Sequence, residues 1–256
     1  MPRFDGQVAI VTGAAGGIGS AVARRLVADG ARVALVDRAP LGVESLAAEL
    51  GTEATLPIVA DVTQEDDVAS YVRRTVEHFG HVDLLFNNAG IEGHIGAIVD
   101  TRLADFDRVL AVNVRGVFLG LREVLRTLQR QGSGGAIVNT ASIAGLRGGP
   151  GLAPYIASKH AVIGLTRTAA LEAASFGVRV NAVAPGYIDT RMLQALIEAR
   201  SPNHPAAGQQ QMAARVPLKR LGSPDEVANL VTWLLSSESR YITGSVHVVD
   251  AGLTSG

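Results

Sequence analysis

Short runs of apolar, largely β-branched residues recur along the chain, and turn-forming residues bound each run. Within a run the residues are almost continuously apolar, with little alternation between apolar and polar positions. That pattern is typical of strands that are buried on both faces. Seven such runs predict seven strands, at residues 8–11, 33–36, 56–59, 84–86, 136–138, 178–183 and 246–249.

Longer stretches with helical periodicity separate these strands. The alternation of strands and helices predicts an α/β fold in which a parallel sheet is covered by helices on both faces. The chain has neither a linker-like segment nor an internal repeat, so we expect residues 1–256 to form a single domain. Its length and its 47% content of hydrophobic residues suffice for a large core.

Two helical segments carry specific signals. Ser223, Pro224 and Glu226 combine a helix N-cap, a first-turn proline and a capping-box glutamate, which predicts a helix from there to about Leu235. The stretch from about residue 190 to residue 215 also has a helical pattern, but Pro202 and Pro205 interrupt it. We expect a substrate lid around residues 188–215, and a plain surface loop is the alternative.

A glycine-rich turn follows the first predicted strand directly. Residues 12–19 read Thr-Gly-Ala-Ala-Gly-Gly-Ile-Gly, and an amphipathic helical stretch comes next. Glycines let the backbone approach a pyrophosphate, and the start of a helix offers free N–H groups and a positive dipole end. Strand, turn and helix together predict a dinucleotide site in which Gly13, Gly17, Ile18 and Gly19 contact the cofactor.

Charge and composition narrow the classes of partner. The formal net charge is −1, from 23 basic and 24 acidic residues, and no basic cluster would attract nucleic acid. The chain has no cysteine, and its six histidines form no ligand pattern, so we expect no metal site. No apolar run has the length of a membrane helix or a signal peptide. We therefore expect a cytoplasmic protein that acts on a small molecule.

Five further motifs follow the glycine turn in order, and together the motifs span nearly the whole chain. They are Asn-Asn-Ala-Gly at 87–90, Asn113, Ser142, Tyr-x-x-x-Lys at 155–159 and Pro-Gly at 185–186. With this order and spacing, the sequence resembles the short-chain dehydrogenase/reductase family. The resemblance implies a single-domain Rossmann fold with a doubly wound, seven-stranded parallel sheet. It also implies an oxidoreductase that uses a nicotinamide cofactor.

We expect this cofactor to be NAD. Asp37 ends the second strand, where a carboxylate can accept hydrogen bonds from ribose hydroxyls and repel the 2′-phosphate of NADP. Arg38, which we also place at the cofactor, complicates this prediction because an arginine can pair with that phosphate. Asp37 as a strand-end turn or helix cap is the alternative, and Asp61 could equally cap the next helix. The resemblance assigns further cofactor contacts to Asp61, Val62, Asn88, Ala89, Gly90, Tyr155, Lys159, Pro185, Gly186, Ile188 and Thr190.

Tyr155 and Lys159 are the expected acid/base pair. Hydride transfer to a ketone leaves an alkoxide that needs a proton donor, and a phenol with a pKa of about 10 needs help to serve at neutral pH. Residues four apart share a helix face, so the Lys159 ammonium is expected beside the Tyr155 ring, where it lowers the phenol pKa. By resemblance, Ser142 donates to the substrate oxygen, and Asn113 holds a water that extends the proton path. A packed Tyr155 with a surface Lys159, and a structural Asn113, are the alternatives.

Substrate contacts are expected from mainly apolar side chains, which favour a small or cyclic hydrophobic alcohol or ketone over a highly charged substrate. Besides the loop 91–95, they are Ser142, Ala144, Leu152, Tyr155, Tyr187 and Met192. The segment from 87 to 121 resembles the branch of the family that contains levodione reductase and cyclic-alcohol dehydrogenases. The alternatives are a 3-oxoacyl-[acyl-carrier-protein] reductase, a steroid or sugar dehydrogenase, and a noncatalytic nucleotide-binding protein. The resemblance also implies a homotetramer in which helix faces within 106–128 and 157–174 pack between subunits.

Overall fold

A computed structural model describes residues 2–255 of the chain. Its strands are β1 Val8–Thr12, β2 Arg32–Asp37, β3 Thr55–Val59, β4 Leu84–Asn87, β5 Gly135–Thr140, β6 Val178–Pro185 and β7 Val246–Val249. They form one parallel sheet in the order β3-β2-β1-β4-β5-β6-β7. All seven predicted strands and the predicted doubly wound α/β fold are confirmed.

Helices cover both faces of this sheet. They are α1 Gly17–Ala28, α2 Pro40–Leu50, α3 Glu65–Phe79, α4 Leu103–Leu110, α5 Gly116–Gln131, α6 Ala153–Ala173, α7 Arg191–Arg200, α8 Pro205–Arg215 and α9 Pro224–Leu235. Helices α1, α2 and α9 pack against one face, and α3, α5 and α6 pack against the other.

Alternate residues of the central strands enter different cores. In β1, Ala9 and Val11 belong to the core beneath α1, α2 and α9, whereas Ile10 belongs to the core on the opposite face. In β2, Leu35 and Val36 divide in the same way. Because both faces are buried, apolar side chains are favoured at both sets of positions, which explains the nearly continuous apolar runs in the sequence.

The strand order reverses between β1 and β4. The chain proceeds from β1 through β2 to β3 at one edge and then returns to place β4 on the other side of β1. Crossovers that leave in opposite directions open a crevice at the carboxyl ends of the strands, where proteins of this class bind ligands. Strands β5 and β6 extend past their predicted ends into this region, because backbone pairing continues through Thr140–Val183 and Pro185–Val249.

Both specific helical predictions are confirmed as secondary structure. Helix α9 begins after Ser223, whose hydroxyl accepts from the Glu226 N–H at 3.3 Å, while the Glu226 carboxylate accepts from the Ser223 N–H at 2.9 Å. The prolines do interrupt the helical stretch, which forms α7 and α8 joined by residues 201–204. Within residues 2–255, no helix combines the length and apolar character needed to cross a membrane.

Candidate active site

A cleft of about 1130 Å³ opens at the carboxyl ends of the strands. The glycine turn, the ends of β4, β5 and β6, the start of α6, and α7 form its walls. The sequence predicted site residues from all these elements, and the fold brings them together. Most of them line the cleft. The exceptions are Gly19 and Asn113, which lie directly behind its walls, and Gly93 and His94 of the loop 91–95.

The glycine turn at the end of β1 is packed too closely for larger residues. Gly13 has a φ of +66°, and a β-carbon there would lie 2.9 Å from the Asn88 side-chain nitrogen. A β-carbon at Gly19 would overlap the carbonyl oxygen of Gly13. The turn therefore exposes backbone, followed by the first turn of α1, which begins after Gly16 without a side chain to cap it. This arrangement suits the phosphates of a dinucleotide.

Asn88 holds three strands in register behind the turn. Its side-chain nitrogen donates to the carbonyl oxygen of Thr12 at 3.1 Å, and its side-chain oxygen accepts from the Thr140 hydroxyl at 3.1 Å. The Thr12 hydroxyl accepts from the N–H groups of Asn88 and Ala89, at 2.9 and 3.1 Å. The side chain of Asn88, predicted as a cofactor contact, therefore positions β1, β4 and β5 relative to one another.

Asp37 connects the end of β2 to the glycine turn. Its carboxylate accepts from the Ala15 N–H at 3.0 Å and from the Ala39 N–H at 3.1 Å, just before α2. These contacts fit the alternative role of a strand-end turn residue, although Asp37 does not cap α2, and the side chain also lines the cleft. Arg38 lies 3.6 Å from the Asp61 carboxylate, which in turn accepts from the Thr63 N–H at 2.9 Å. The Arg38 guanidinium therefore already faces a carboxylate of the protein itself, that of Asp61.

Tyr155, Lys159 and Ser142 converge in the middle of the cleft. Helix α6 carries Tyr155 and Lys159 one turn apart, and the Lys159 nitrogen lies 5.5 Å from the centre of the Tyr155 ring. That nitrogen also donates to the Thr140 carbonyl oxygen at 2.7 Å. Ser142 precedes a short 3₁₀ turn and accepts from the Ala144 N–H at 3.1 Å through its hydroxyl. The Tyr155 phenol, the Lys159 amine and the Ser142 hydroxyl thus lie close together.

The acid–base properties of the pair differ from the sequence expectation. Burial raises the pKa of the Tyr155 phenol, and the negative charge of Glu92 raises it further, although the Ser142 hydroxyl lowers it. Burial also lowers the pKa of Lys159 to about 8. The expected net decrease of the Tyr155 pKa is therefore wrong for this structure, because loss of solvation outweighs the favourable contacts of the phenolate.

Asn113 lies in a π-helical turn, Ala111–Arg115, between α4 and α5. Its side-chain oxygen accepts from the Ile91 N–H at 2.8 Å, and its side-chain nitrogen donates to the Ile91 carbonyl oxygen at 2.8 Å and to the Ser158 hydroxyl at 3.0 Å. Ser158 donates to the Tyr155 carbonyl oxygen at 2.7 Å. Asn113 is fully buried and links the loop after β4 to the first turns of α6.

The opposite wall follows β6. A β-carbon at Gly186 would lie 2.7 Å from that of Asp250, which explains the need for glycine there. Thr190 caps α7 through a 3.4 Å contact from the Leu193 N–H, and its methyl group faces Gly17 of the glycine turn. The predicted residues Ile188, Thr190 and Met192 therefore line the cleft, with Thr190 next to the glycine turn.

The comparisons with known proteins agree with this geometry. A family model described as enoyl-(acyl carrier protein) reductase matches residues 13–254. Levodione reductase of Leifsonia aquatica is 43% identical over 254 residues, which cover 98% of this chain and 95% of that protein. The chain belongs to the short-chain dehydrogenase/reductase family.

Other members of the short-chain dehydrogenase/reductase family match over similar lengths. Cyclohexanol dehydrogenase of Acinetobacter sp. (strain SE19) is 38% identical, with 99% of this chain and 97% of that protein covered. A 3-oxoacyl-[acyl-carrier-protein] reductase of Thermotoga maritima is 39% identical, with 98% and 99% covered. The family resemblance inferred from the ordered motifs is therefore confirmed.

Solved structures of the same family superpose closely. The crystal structure of levodione reductase has a TM-score of 0.96 at 41% identity, covering 99% of this chain and all of the other. NAD+-bound xylitol dehydrogenase has a TM-score of 0.93 at 39% identity, covering 98% of this chain and all of the other.

Several groups in the cleft of this short-chain dehydrogenase/reductase escaped the sequence analysis. One is the carbonyl group of Thr140, which holds Lys159. Others are Arg147, Arg191, Arg200 and Arg215. A backbone carbonyl leaves no signal in a sequence, and the arginines meet because of tertiary structure alone.

Proposed function

We propose that the protein is an NAD(H)-dependent oxidoreductase that interconverts a secondary alcohol, hydrophobic or cyclic, with its ketone. The observation that carries this proposal is the position of Tyr155, Lys159 and Ser142 in the same cleft as the glycine turn and Asp37. Family membership supports an oxidoreductase. The names of levodione reductase and cyclohexanol dehydrogenase support the alcohol and ketone class.

The cleft fits NAD at three points. Gly13 and Gly19 leave backbone free where a β-carbon would collide, and α1 directs its N-terminal N–H groups to the same place. Asp37 lines the cleft at the end of β2, where its charge opposes a ribose 2′-phosphate. Pairing of Arg38 with Asp61 reduces the attraction of Arg38 for that phosphate. The NAD+-bound xylitol dehydrogenase supports the same cofactor.

Bound NADH would supply the hydride in ketone reduction, and side chains of the cleft supply the proton. The Ser142 hydroxyl donates a hydrogen bond to the ketone oxygen and holds it near Tyr155. The Tyr155 phenol then donates its proton to the oxygen as negative charge develops there. Because the phenol pKa is raised, Tyr155 is protonated at neutral pH and ready for this direction. In oxidation the same group must first lose its proton and then accept one from the alcohol.

Lys159 and Asn113 have supporting roles in this mechanism. With a pKa of about 8, most Lys159 amines are charged at pH 7, and this charge stabilises the Tyr155 phenolate during turnover. Asn113 positions the start of α6 through Ser158 and fixes the loop at Ile91. The oxygen and the nitrogen of its side-chain amide both form hydrogen bonds with protein groups. A water relay would therefore have to start from the backbone of its π turn. We keep the relay as a hypothesis.

The test is turnover with NAD+ or NADP+ and a panel of secondary and cyclic alcohols, followed by the absorbance of the reduced nicotinamide. We expect NAD-linked activity that falls at least about a thousandfold in Tyr155→Phe, while NADH binding measured by fluorescence is retained. Activity with NADP+ alone would contradict the role of Asp37. Cofactor binding without turnover across the panel would instead favour the noncatalytic alternative.

A 3-oxoacyl-[acyl-carrier-protein] reductase is the second candidate, supported by the Thermotoga maritima relative. It uses the same keto-group chemistry, so Tyr155 and Lys159 do not distinguish the two. Adding a β-ketoacyl thioester to the substrate panel distinguishes the two candidates. Preference for this substrate together with NADPH would replace the first proposal.

We also retain the prediction of a homotetramer. On α5 and α6, the large apolar side chains of Phe118 and Leu171 are 45% and 82% exposed in the isolated chain. Burial of such side chains between subunits would be favourable. Light scattering after size-exclusion chromatography measures the mass directly, and a monomer would contradict the prediction.

A further inference from the structure

Besides Arg38, four arginines line the cleft: Arg147, Arg191, Arg200 and Arg215. Arg191 begins α7 directly after Thr190, whose methyl group faces Gly17 of the glycine turn. This leaves Arg147, Arg200 and Arg215 as candidates for the substrate end. Arg147 lies in the loop that follows the 3₁₀ turn Ile143–Gly145, Arg200 ends α7 and Arg215 ends α8. All three are exposed, whereas Lys159 is 4% exposed and Tyr155 is half-buried. These three arginines therefore add solvent-exposed positive charge to the cleft.

Protein carboxylates do not neutralise these three guanidinium groups. Within residues 2–255, none of the three takes part in an ion pair. Their side chains make one hydrogen bond in total, from Arg200 to the Pro150 carbonyl oxygen at 3.3 Å. Elsewhere in the same structure, Arg24 and Arg220 face carboxylates at 2.7 and 2.6 Å. The cleft arginines thus have most of their donors available to a ligand.

The cleft also contains a negative charge, Glu92, in addition to these three positive charges. Glu92 lines the cleft and raises the pKa of the Tyr155 phenol through its negative charge, so it lies on the Tyr155 side. The three arginines belong to other segments, namely the loop before α6 and the ends of α7 and α8. An anion entering the cleft would therefore be repelled by Glu92 beside Tyr155 and attracted to the arginines.

Helix stability accounts for part of this pattern. Arg200 and Arg215 lie in the last turns of their helices, where a cation interacts favourably with the dipole. Arg147 lies in a loop and gains nothing from a dipole. The dipole also gives no reason for three chain segments to direct arginines into one cleft.

We propose that Arg147, Arg200 and Arg215 bind an anionic group of the substrate, at the end of the molecule remote from the reacting carbon. The substrate class is a hydroxy or keto compound with an apolar middle and a terminal oxyanion, of which carboxylate and sulfonate are the simplest forms. This inference rests on the proposed alcohol and ketone chemistry and names a more specific substrate for it. It revises the sequence expectation that the cleft disfavours charged substrates.

The test uses methyl ketones with three to six methylene groups between the keto carbon and a terminal carboxylate, sulfonate or neutral primary amide. We measure kcat/KM with NADH for the wild type, Arg147→Gln, Arg215→Gln, their double variant and the control Arg25→Gln. Arg25 lies in the last turn of α1 outside the cleft, so it resembles Arg215 in its position near a helix end. We expect the wild type to prefer an anionic ketone to its amide at one chain length by about tenfold or more.

In the double variant we expect kcat/KM for the anionic ketone to fall by about tenfold to a hundredfold, with the amide and the control unchanged within about twofold. Equal kcat/KM for anionic and amide ketones at every length would overturn the proposal. So would a weaker NADH affinity of the double variant, because the arginines would then serve the cofactor phosphates.

Calorimetric titration of the same compounds into the enzyme–NADH complex separates this inference from the proposed function. Tighter binding of the anionic ketone than of the amide, lost in the double variant, supports the arginine site even without turnover. Turnover of amides and simple ketones without any anion preference supports the proposed function and refutes the arginine site.

Discussion

The Lys159 amine donates a 2.7 Å hydrogen bond to the carbonyl oxygen of Thr140, the last residue of β5. This bond ties α6 to the carboxyl end of the sheet at the point where the cleft begins. Lys159 is 4% exposed, so the amine depends on this carbonyl for part of the solvation it has lost. The proposed catalytic amine is therefore held at a cost in folding free energy.

We predict that replacing Lys159 by methionine changes how stability depends on pH. The pKa of Lys159 is about 8 in the folded protein and 10.5 for an ordinary lysine, so the unfolded chain binds more protons between these values. Wild-type stability should rise from pH 8 to pH 10.5 by about 3 kcal/mol, because the cost of burying a charged amine disappears. Lys159→Met should lack this rise. Urea denaturation at several pH values measures it.

Lys219→Met is the matched control, because Lys219 is the other lysine and its side chain is exposed. It should follow the wild-type pH dependence. A rise of equal size in Lys159→Met and in the wild type would show that other groups cause it.

Glu92 gives a second pH prediction. Its negative charge raises the pKa of the Tyr155 phenol, so Glu92→Gln should lower that pKa. Oxidation of an alcohol needs the phenolate, and its kcat/KM should therefore reach a plateau at lower pH in the variant than in the wild type. The exposed Glu44→Gln on α2 serves as the control. If the pH dependence of kcat/KM were unchanged in Glu92→Gln, a group not influenced by Glu92 would control the rise of activity with pH.

Much of the fold and of the site could be predicted because the signals are local. Strands buried on both faces produce continuous apolar runs, and the glycine turn must lack side chains where Gly13 and Gly19 meet their neighbours. Tyr155 and Lys159 share a helix face because they are four residues apart. In each case a short segment of sequence contains the whole physical requirement.

Properties that depend on tertiary environment were missed or wrong. The sequence places a cation beside Tyr155 but does not reveal how much solvent the phenol loses, and that loss determines the direction of its pKa shift. The π turn at Asn113 has no sequence signal, and neither does the meeting of Arg147, Arg200 and Arg215 in one cleft. These features depend on chain segments that are far apart in the sequence.

Asp37 combines a structural and an electrostatic role, and two variants separate them. Asp37→Asn keeps a side-chain oxygen that can accept from Ala15 but removes the charge, so NADPH affinity should rise about tenfold relative to NADH. Asp37→Ala should show the same change and also lose about 1–2 kcal/mol of stability, because the Ala15 and Ala39 N–H groups lose their acceptor. Fluorescence titration and urea denaturation measure the two effects. Unchanged cofactor preference in both variants would refute the electrostatic role.

Thr12 provides the last prediction, on how the glycine turn is held. Its fully buried hydroxyl accepts from the N–H groups of both Asn88 and Ala89. Thr12→Val keeps the shape but leaves these two donors without an acceptor, so the free energy of unfolding should fall by about 1–3 kcal/mol. NADH affinity should also fall, because the same bonds fix the end of β4 against the turn. Urea denaturation and NADH titration measure both changes.

Thr75→Val is the matched control for this substitution. The Thr75 hydroxyl is equally buried, but it donates to the Tyr71 carbonyl oxygen within α3, which keeps its helical hydrogen bond when the hydroxyl is removed. Its replacement should therefore cost less than about 1 kcal/mol and leave NADH binding unchanged. If both variants lost the same stability, the exchange of any buried hydroxyl for a methyl group would explain the effect, and the bonds of Thr12 to Asn88 and Ala89 would not be its cause.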